Sequence, residues 1–166
     1  LRDRGYKTGN FIKADFFDYA DSRKYGVVCS FGFIEHFVNY QEVIVKACSL
    51  VENNGFIVIS SPNYSGFIQR QLNGYLNGEV YRTHVLDAMN PYAWSKVAKE
   101  LDFEIGFCGS FGGFGLLAEG GRKLRWDQRF LLRFIWRLSP IFAKSLPNND
   151  SYSLFYGLIG KRRKPA

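Results

Sequence analysis

Polar residues follow three apolar runs in the first half of the chain, where they could do chemistry. Asp15 breaks the run NFIKADFF, Ser30 to His36 follow GVVCS, and Ser61 to Tyr64 follow FIVIS. In open α/β sheets, ligands bind at the carboxyl ends of the strands. There a carboxylate acts only as a hydrogen-bond acceptor, Gly32 permits close approach of a ligand, and His36 could be a general base because imidazole titrates near neutral pH. The sequence therefore predicts one ligand crevice.

The elements that must position these residues alternate between strands and helices. Residues 10–17, 26–30 and 56–60 are short apolar runs typical of buried strands. A helix begins at Asn39, whose side chain can cap the first turn while Glu42 reaches back to it. A strand-helix-strand unit with short joints gives two parallel strands and a right-handed crossover. We expect residues 26–30 at the centre of the sheet.

A further helix and two strands follow in the second half. Asn90 and Pro91 start a helix in the favoured order of cap and first-turn proline. Residues 103–110 alternate apolar and other side chains, and residues 152–160 form the last apolar run. The glycine-rich stretch Gly109 to Gly121 between them indicates a bend or the edge of a lid. The predicted fold class is α/β.

Length and charge limit the function classes. The chain has 166 residues, of which 46% are hydrophobic, so residues 1–166 are expected to form a single domain. The net charge of +7 is concentrated in Arg122 to Arg137 and in Lys161 to Lys164, and no nucleic-acid motif is present. We therefore predict no nucleic-acid partner, and a cytoplasmic protein because neither a signal peptide nor a membrane-spanning run is visible.

The three cysteines are odd in number and lie far apart in the sequence. They show no C-x-x-C spacing, so they predict neither a disulfide framework nor a metal site. We expect buried, reduced thiols at all three positions: Cys29, Cys48 and Cys108.

Two segments lie outside the repeating pattern. Residues 64–90 are rich in Gly, Asn, Tyr and Gln and are expected to form a lid over the site. Residues 121–146, the insertion, carry arginine at every fourth position from Arg125 to Arg137, with aromatic and aliphatic residues on the other side. Such a helix either packs on its own domain or a second copy, or lies on an anionic membrane surface through residues 122–138 as a peripheral membrane element.

The order of these parts resembles one family. The similarity lies in a strand that ends in an acidic residue (FIKADFFD), a strand and loop (VVCSFGFIEHF), a helix, and then the strand in NGFIVISSPN. In these features the chain is similar to the class I S-adenosylmethionine-dependent methyltransferases, especially the branch that includes the quinone and small-molecule O-methyltransferases. The resemblance covers roughly residues 5–110 and resumes at 152. It implies a Rossmann-like methyltransferase fold, a mostly parallel sheet with a C-terminal antiparallel pair, in which the N-terminal strands are missing from this chain.

The resemblance also implies roles for particular residues. Asp15 would accept a hydrogen bond from the adenine amino group of S-adenosylmethionine, with the amide of Phe16 facing the ring, and Ser30, Phe31 and Gly32 would line the methionine part. His36 could act as a general base on a hydroxyl of the acceptor, a small molecule or a lipid-linked compound. Candidates to face that acceptor, because they lie in or beside the predicted lid, are Tyr64, His84 and Tyr92.

Alternatives remain at each position. Asp15 could cap a turn with Asp18, His36 could pack at the base of the next helix, and the aromatic residues could be packing. No glycine-rich cofactor loop of the form G-x-G-x-G precedes Asn10, so we expect the chain by itself to be inactive. Two other functions stay open: a non-catalytic or membrane-associating module with this fold, and a nucleotide-dependent oxidoreductase.

Overall fold

The computed structural model describes residues 5, 9–76, 78–116 and 124–164. Four strands form one sheet within these residues, in the order β1-β2-β4-β3. Along the chain the elements are β1 (Tyr25–Phe31), α1 (Tyr40–Ser49), β2 (Val51–Pro62), α2 (Phe67–Leu76), α3 (Val80–Thr83), α4 (Pro91–Glu100), β3 (Phe103–Phe114), α5 (Trp126–Ser145) and β4 (Ser153–Arg162).

The predicted parallel unit is confirmed. β1 pairs with β2 in parallel, from Val27 beside Phe56 to Phe31 beside Ser60, and α1 connects them. Asn39 precedes α1, but its side chain makes no capping bond to the backbone. Its Nδ2 instead donates to the Glu42 carboxylate at 2.9 Å, so the predicted cap is wrong in its bonding.

The predicted strand over residues 10–17 is wrong. The backbone is irregular through residue 15, residues 16–18 form a turn, and Phe11 is 91% exposed. A strand needs a neighbour for its backbone hydrogen bonds, and no described strand pairs with this segment. For the same reason β1 lies at the edge of the sheet rather than at its centre.

The C-terminal half confirms the antiparallel pair. β4 runs antiparallel to both β2 and β3. The glycine-rich stretch continues β3 as far as Phe114 instead of bending away, with register shifts after Ile105 and Phe111. Glycines at positive φ occur in this stretch, a conformation that glycine tolerates without strain. Residues 117–121 of the stretch lie outside the described residues.

One face of the sheet carries the core and the other faces outward. Trp94 of α4 is completely buried, and the Asn90 side chain accepts bonds from Tyr92 and Ala93 amides, so the predicted cap of α4 is confirmed. α1 and α4 contact each other and contribute to one hydrophobic cluster with the sheet. The strands leave large apolar side chains exposed on the outward face of the sheet: Val27, Phe56, Phe107 and Ile159.

Asn63 fixes the end of β2. Its Nδ2 donates to the carbonyl oxygens of Asp150 and Ser153 at 2.8 and 2.9 Å, and its Oδ1 accepts from Gly66 N at 2.8 Å. The side chain is 1% exposed. Three bonds from one buried amide therefore connect β2, the start of α2 and the loop before β4.

α5 has an inner and an outer face. Leu132 and Ile135 are buried in a second cluster with Leu76 and Leu116, which agrees with packing on the same domain. Phe130 and Phe134 are 71% and 54% exposed, so the expected separation of aromatic and arginine sides is wrong for these two. Residues 121–123 of the insertion lie outside the described residues.

Candidate functional site

A cavity of about 530 Å³ lies beside β1 and brings four of the predicted cofactor residues together. Asp15 and Phe16 come from the irregular segment before β1, and Ser30 and Phe31 from the end of the strand. Phe33 also lines the cavity, and its ring lies 5.2 Å from that of Phe16. The walls are therefore aromatic, with polar groups at a few positions.

The two carboxylate oxygens of Asp15 differ in their surroundings. Its Oδ1 accepts from Phe17 N at 2.8 Å, and its backbone carbonyl accepts from Tyr19 N at 2.9 Å, so Asp15 begins a turn. The turn alternative considered above is thus part of the structure, although the partner is not Asp18. The residue is exposed, and the turn uses only Oδ1. Oδ2 can still accept a bond from a ligand.

Ser30 and Gly32 differ in their surroundings. Ser30 Oγ is buried and has no hydrogen-bond partner among the described residues, although Ser30 lines the cavity. A buried hydroxyl without a partner is costly, which makes it a candidate contact for a bound molecule. Gly32 adopts φ +58° and donates from its amide to Ser60 O at 3.0 Å. It is not among the residues that line the cavity.

Several residues that were not predicted as site residues also line this cavity, among them Tyr19, Tyr25 and Cys29. Tyr19 and Tyr25 line it, and their hydroxyls donate to Asp21 Oδ2 at 2.7 and 2.5 Å. The pKa of Asp21 lies well below its usual value, chiefly because the Arg23 guanidinium donates to its carboxylate and, to a smaller extent, because the two tyrosine hydroxyls do so. The bond to Asp21 is the largest cause of a raised pKa at Tyr25. In the sequence, only the D-x-R-x-Y spacing of Asp21, Arg23 and Tyr25 could have indicated this hydrogen-bonded group. Cys29 also lines the cavity and is exposed, so the expectation of a buried thiol is wrong there.

His36, His84 and Tyr64 form a second cluster. The two imidazole centroids are 4.7 Å apart, and the Tyr64 ring lies edge-on to His84 at 5.2 Å. Thr83 contacts both imidazoles: its carbonyl oxygen is 3.0 Å from His36 Nδ1, and its Oγ1 is 2.9 Å from His84 Nδ1. Two of the three predicted acceptor residues are thus brought to the predicted catalytic histidine.

Glu35 belongs to the same cluster. It is 1% exposed, and its backbone carbonyl accepts from Val85 N at 2.7 Å, which ties the loop after β1 to the segment that carries His84. One potential metal ligand atom from each of Glu35, His36 and His84 lies within 4.8 Å of the others. These three residues could therefore hold a metal ion.

Tyr92 does not join this cluster. It lies in the first turn of α4, and its hydroxyl donates to Asp150 Oδ2 at 2.9 Å, the largest cause of its raised pKa. It lines two other cavities, one of about 490 Å³ with Ser65 and Met89 and one of about 680 Å³ beside β3. Neither contains a predicted cofactor residue.

Solved structures place this arrangement in a known fold. A SAM-dependent methyltransferase from Archaeoglobus fulgidus matches 91% of the chain with TM-score 0.54 and 20% identity. A putative methyltransferase from Bacillus halodurans C-125 matches 98% with TM-score 0.58 and 13% identity. A putative sarcosine dimethylglycine methyltransferase from Galdieria sulphuraria matches 90% with TM-score 0.51 and 11% identity. The chain has the methyltransferase fold.

That fold is the extent of the similarity. The chain spans 66%, 75% and 58% of the lengths of those three proteins. No protein-family model and no curated protein matches it. The predicted α/β, Rossmann-like class is confirmed, because a mixed sheet with one parallel pair and a C-terminal antiparallel pair aligns with these methyltransferases over nine tenths of the chain. None of the described helices is long and apolar enough to cross a membrane.

Proposed function

We propose that this chain belongs to an enzyme that transfers a methyl group from S-adenosylmethionine to a small-molecule or lipid-linked acceptor. The observation that carries the proposal is the cavity at the end of β1, which gathers Asp15, Phe16, Ser30 and Phe31. Its lining runs along β1 from Tyr25 to Phe31 and so includes the carboxyl end of this parallel strand, the position at which this fold class binds ligands.

The cavity offers groups that suit the cofactor. Asp15 can accept from an exocyclic amine through Oδ2, while Phe16 and Phe33 present apolar surface to a flat ring. The buried Ser30 hydroxyl, which has no partner in the described part of the chain, can bond a polar group of the ligand. When bound, the cofactor supplies a sulfonium methyl group that is already activated for transfer.

The second cluster faces the acceptor in this proposal. His36 Nδ1 lies beside the Thr83 carbonyl, which can only accept, so the proton of a neutral His36 sits on Nδ1 and the Nε2 lone pair is available. That lone pair can take the proton of an acceptor hydroxyl. Phe33 lines the cavity, and His36 lies three residues after it in the chain. One short loop therefore connects the proposed cofactor cavity to the cluster proposed to face the acceptor.

Calorimetry tests the cofactor half of the proposal. We expect S-adenosylhomocysteine to bind the full-length protein saturably, one molecule per chain. Ser30→Ala should weaken that binding roughly 5-fold to 10-fold, since a net neutral hydrogen bond contributes about 1 kcal/mol. Ser49→Ala, an exposed serine on α1, is the matched control. Absence of saturable binding by the wild-type protein contradicts the proposal.

The outer face of α5 supports a lipid-linked acceptor at a membrane surface. Exposed Trp126, Phe130 and Phe134 lie beside exposed Arg129, Arg133 and Arg137 on the same helix. Aromatic side chains enter the interfacial region of a bilayer and arginines bind anionic headgroups. Asp127, the acidic residue of the first turn, is already engaged by Arg125 at 3.2 Å and by the Tyr75 hydroxyl.

Vesicle co-sedimentation tests the membrane contact. We expect binding to phosphatidylglycerol-containing vesicles at low salt. Arg133→Gln with Arg137→Gln should weaken it roughly 30-fold, because each surface cation contributes about 1 kcal/mol. Phe130→Ser with Phe134→Ser should also weaken it, whereas Phe67→Ser, a phenylalanine 71% exposed on α2, should not. Equal binding by all variants rejects this surface.

A further inference from the structure

We infer that Glu35, His36 and His84 form a binding site for a divalent first-row transition-metal ion. The three residues offer two imidazole nitrogens and one carboxylate oxygen, a donor set that suits such ions. The site lies on the acceptor side of the proposed methyltransferase, and its catalytic consequence, though not metal binding itself, rests on that proposed function.

Thr83 orients both imidazoles for coordination. Its carbonyl oxygen is 3.0 Å from His36 Nδ1 and its Oγ1 is 2.9 Å from His84 Nδ1. Histidines that bind metals usually donate from one ring nitrogen to a carbonyl or similar oxygen, which fixes the tautomer and leaves the other nitrogen for the ion. A single residue provides this outer contact for both rings here.

The distances are close to those of a bound state. One ligand atom from each residue lies within 4.8 Å of the others. Two atoms that bind one ion at about 2.1 Å can be at most roughly 4.2 Å apart. Even if two of the ligand atoms are the full 4.8 Å apart, side-chain shifts of less than about 1 Å bring them within reach of one ion. His84 is half-buried and His36 is exposed, which leaves an approach for an ion from solvent.

Burial of Glu35 favours an ion at this position. A carboxylate that is 1% exposed has lost most of its hydration, and a neighbouring divalent cation offsets that cost. The backbone of Glu35 is fixed, because its carbonyl accepts from Val85 N at 2.7 Å. The carboxylate lies beside Gly32, where an added Cβ would be 3.6 Å from Oε1.

Three protein ligands leave coordination positions open for the acceptor. An acceptor hydroxyl bound there loses its proton to water more readily, because the cation stabilises the alkoxide or phenolate. The oxygen then attacks the methyl carbon: the new O–C bond forms, the C–S bond breaks, and the sulfonium electron pair returns to sulfur to give the thioether. In the metal-loaded protein the His36 lone pair binds the ion, and the ion takes over the activation assigned above to His36 as a base.

Cobalt and zinc titrations of metal-free full-length protein without a histidine tag test the site. His36 and His84 are the two histidines of this chain, so imidazole coordination within it points to this pair. We expect the visible absorption of bound Co²⁺ to saturate at one ion per chain. Added Zn²⁺ should then displace the Co²⁺ and remove this absorption, because such sites bind Zn²⁺ more tightly than Co²⁺. Loss of a residue that hydrogen-bonds a metal ligand typically weakens metal binding roughly 10-fold to 100-fold. His36→Ala and His84→Ala each remove a ligand itself, so each should weaken metal binding by more than that.

Thr83 supplies a matched pair of variants. Thr83→Val removes the hydroxyl beside His84 and should weaken metal binding about 10-fold to 100-fold, whereas Thr83→Ser keeps the hydroxyl and should bind as the wild type does. Glu100→Gln removes an exposed carboxylate at the end of α4 and should leave metal binding unchanged. The Thr83 pair keeps the test decisive if a histidine variant fails to fold.

The outcomes separate this inference from the proposed function. Absence of saturable Co²⁺ or Zn²⁺ binding, or equal binding by wild type, His84→Ala and Thr83→Val, overturns the metal site. If chelator-treated protein then still binds S-adenosylhomocysteine, the methyltransferase proposal stands alone. Histidine-dependent metal binding without cofactor binding supports the site and removes the proposed function.

Discussion

Replacing Asp15 with asparagine is expected to weaken cofactor binding while leaving the fold unchanged. The amide oxygen of the introduced side chain would still accept from Phe17 N, which is 2.8 Å from Asp15 Oδ1 in the wild type. The other carboxylate oxygen becomes an amide NH₂, a donor where an acceptor is needed. The substitution thus preserves the turn and removes the acceptor oxygen that the proposal assigns to the exocyclic amine of the cofactor.

The expected magnitude follows from the lost bond. A hydrogen bond to a charged group contributes about 1.5–3 kcal/mol, or roughly 10-fold to 150-fold in affinity. Because Asp15 is exposed, the lower end applies, so we expect about a 10-fold increase in the dissociation constant. The unfolding free energy should change by less than about 0.5 kcal/mol, as for most surface substitutions.

Calorimetry with S-adenosylhomocysteine and urea unfolding measure the two quantities on the same samples. Asp18→Asn is the matched control, since it is an exposed aspartate in the same turn. An unchanged affinity of Asp15→Asn, or an equal loss in Asp18→Asn, would refute the assignment of Asp15 to the amine.

Three further predictions concern stability. Asn63→Ala removes the side chain that bonds the buried Gly66 N and Ser153 O, while Asp150 O keeps the bond from the Tyr156 hydroxyl. It should therefore lower the urea unfolding free energy by about 2 kcal/mol or more, whereas exposed Asn53→Ala should change it by less than about 0.5 kcal/mol. Gly32→Ala should cost about 1–2 kcal/mol by the same measurement, because an L-residue is strained at φ +58°; no loss would contradict that conformation. The pKa of Asp21 is depressed in the folded state, so its stabilising contribution is present above pH about 4 and disappears as the pH falls through the folded value. Acid titration should therefore destabilise the wild type more than Asp21→Asn below pH about 4, and parallel curves would argue against the cluster around Asp21.

Local signals in the sequence determined the elements that were predicted correctly. The apolar runs of β1 and β4 and the Asn90-Pro91 start of α4 each predicted their element to within two residues. The run of β2 predicted the strand but not its start, because β2 begins at Val51, five residues before that run. The fold class followed because a short strand-helix-strand unit has few possible arrangements. The family resemblance then implied the four residues that share the cavity beside β1: Asp15, Phe16, Ser30 and Phe31.

Features that depend on distant partners could not be predicted in this way. Residues 10–17 have the composition of a strand, but composition does not show whether a neighbour is present to pair with it. Phe130 and Phe134 point outward because α5 rests on Leu76 and Leu116, contacts that helical periodicity does not identify. The grouping of His84 with Glu35 and His36 spans about fifty residues of sequence and became visible only in three dimensions.

Water meets an apolar surface where the strands expose Val27, Phe56, Phe107 and Ile159. Uncovered apolar patches of this kind favour association and the binding of hydrophobic dyes. Among the described strands, β1 supplies one edge of the sheet and part of the wall of the cavity proposed to bind the cofactor. Self-association along that strand and cofactor binding would therefore be thermodynamically linked, so a saturating ligand would shift the protein concentration at which copies assemble.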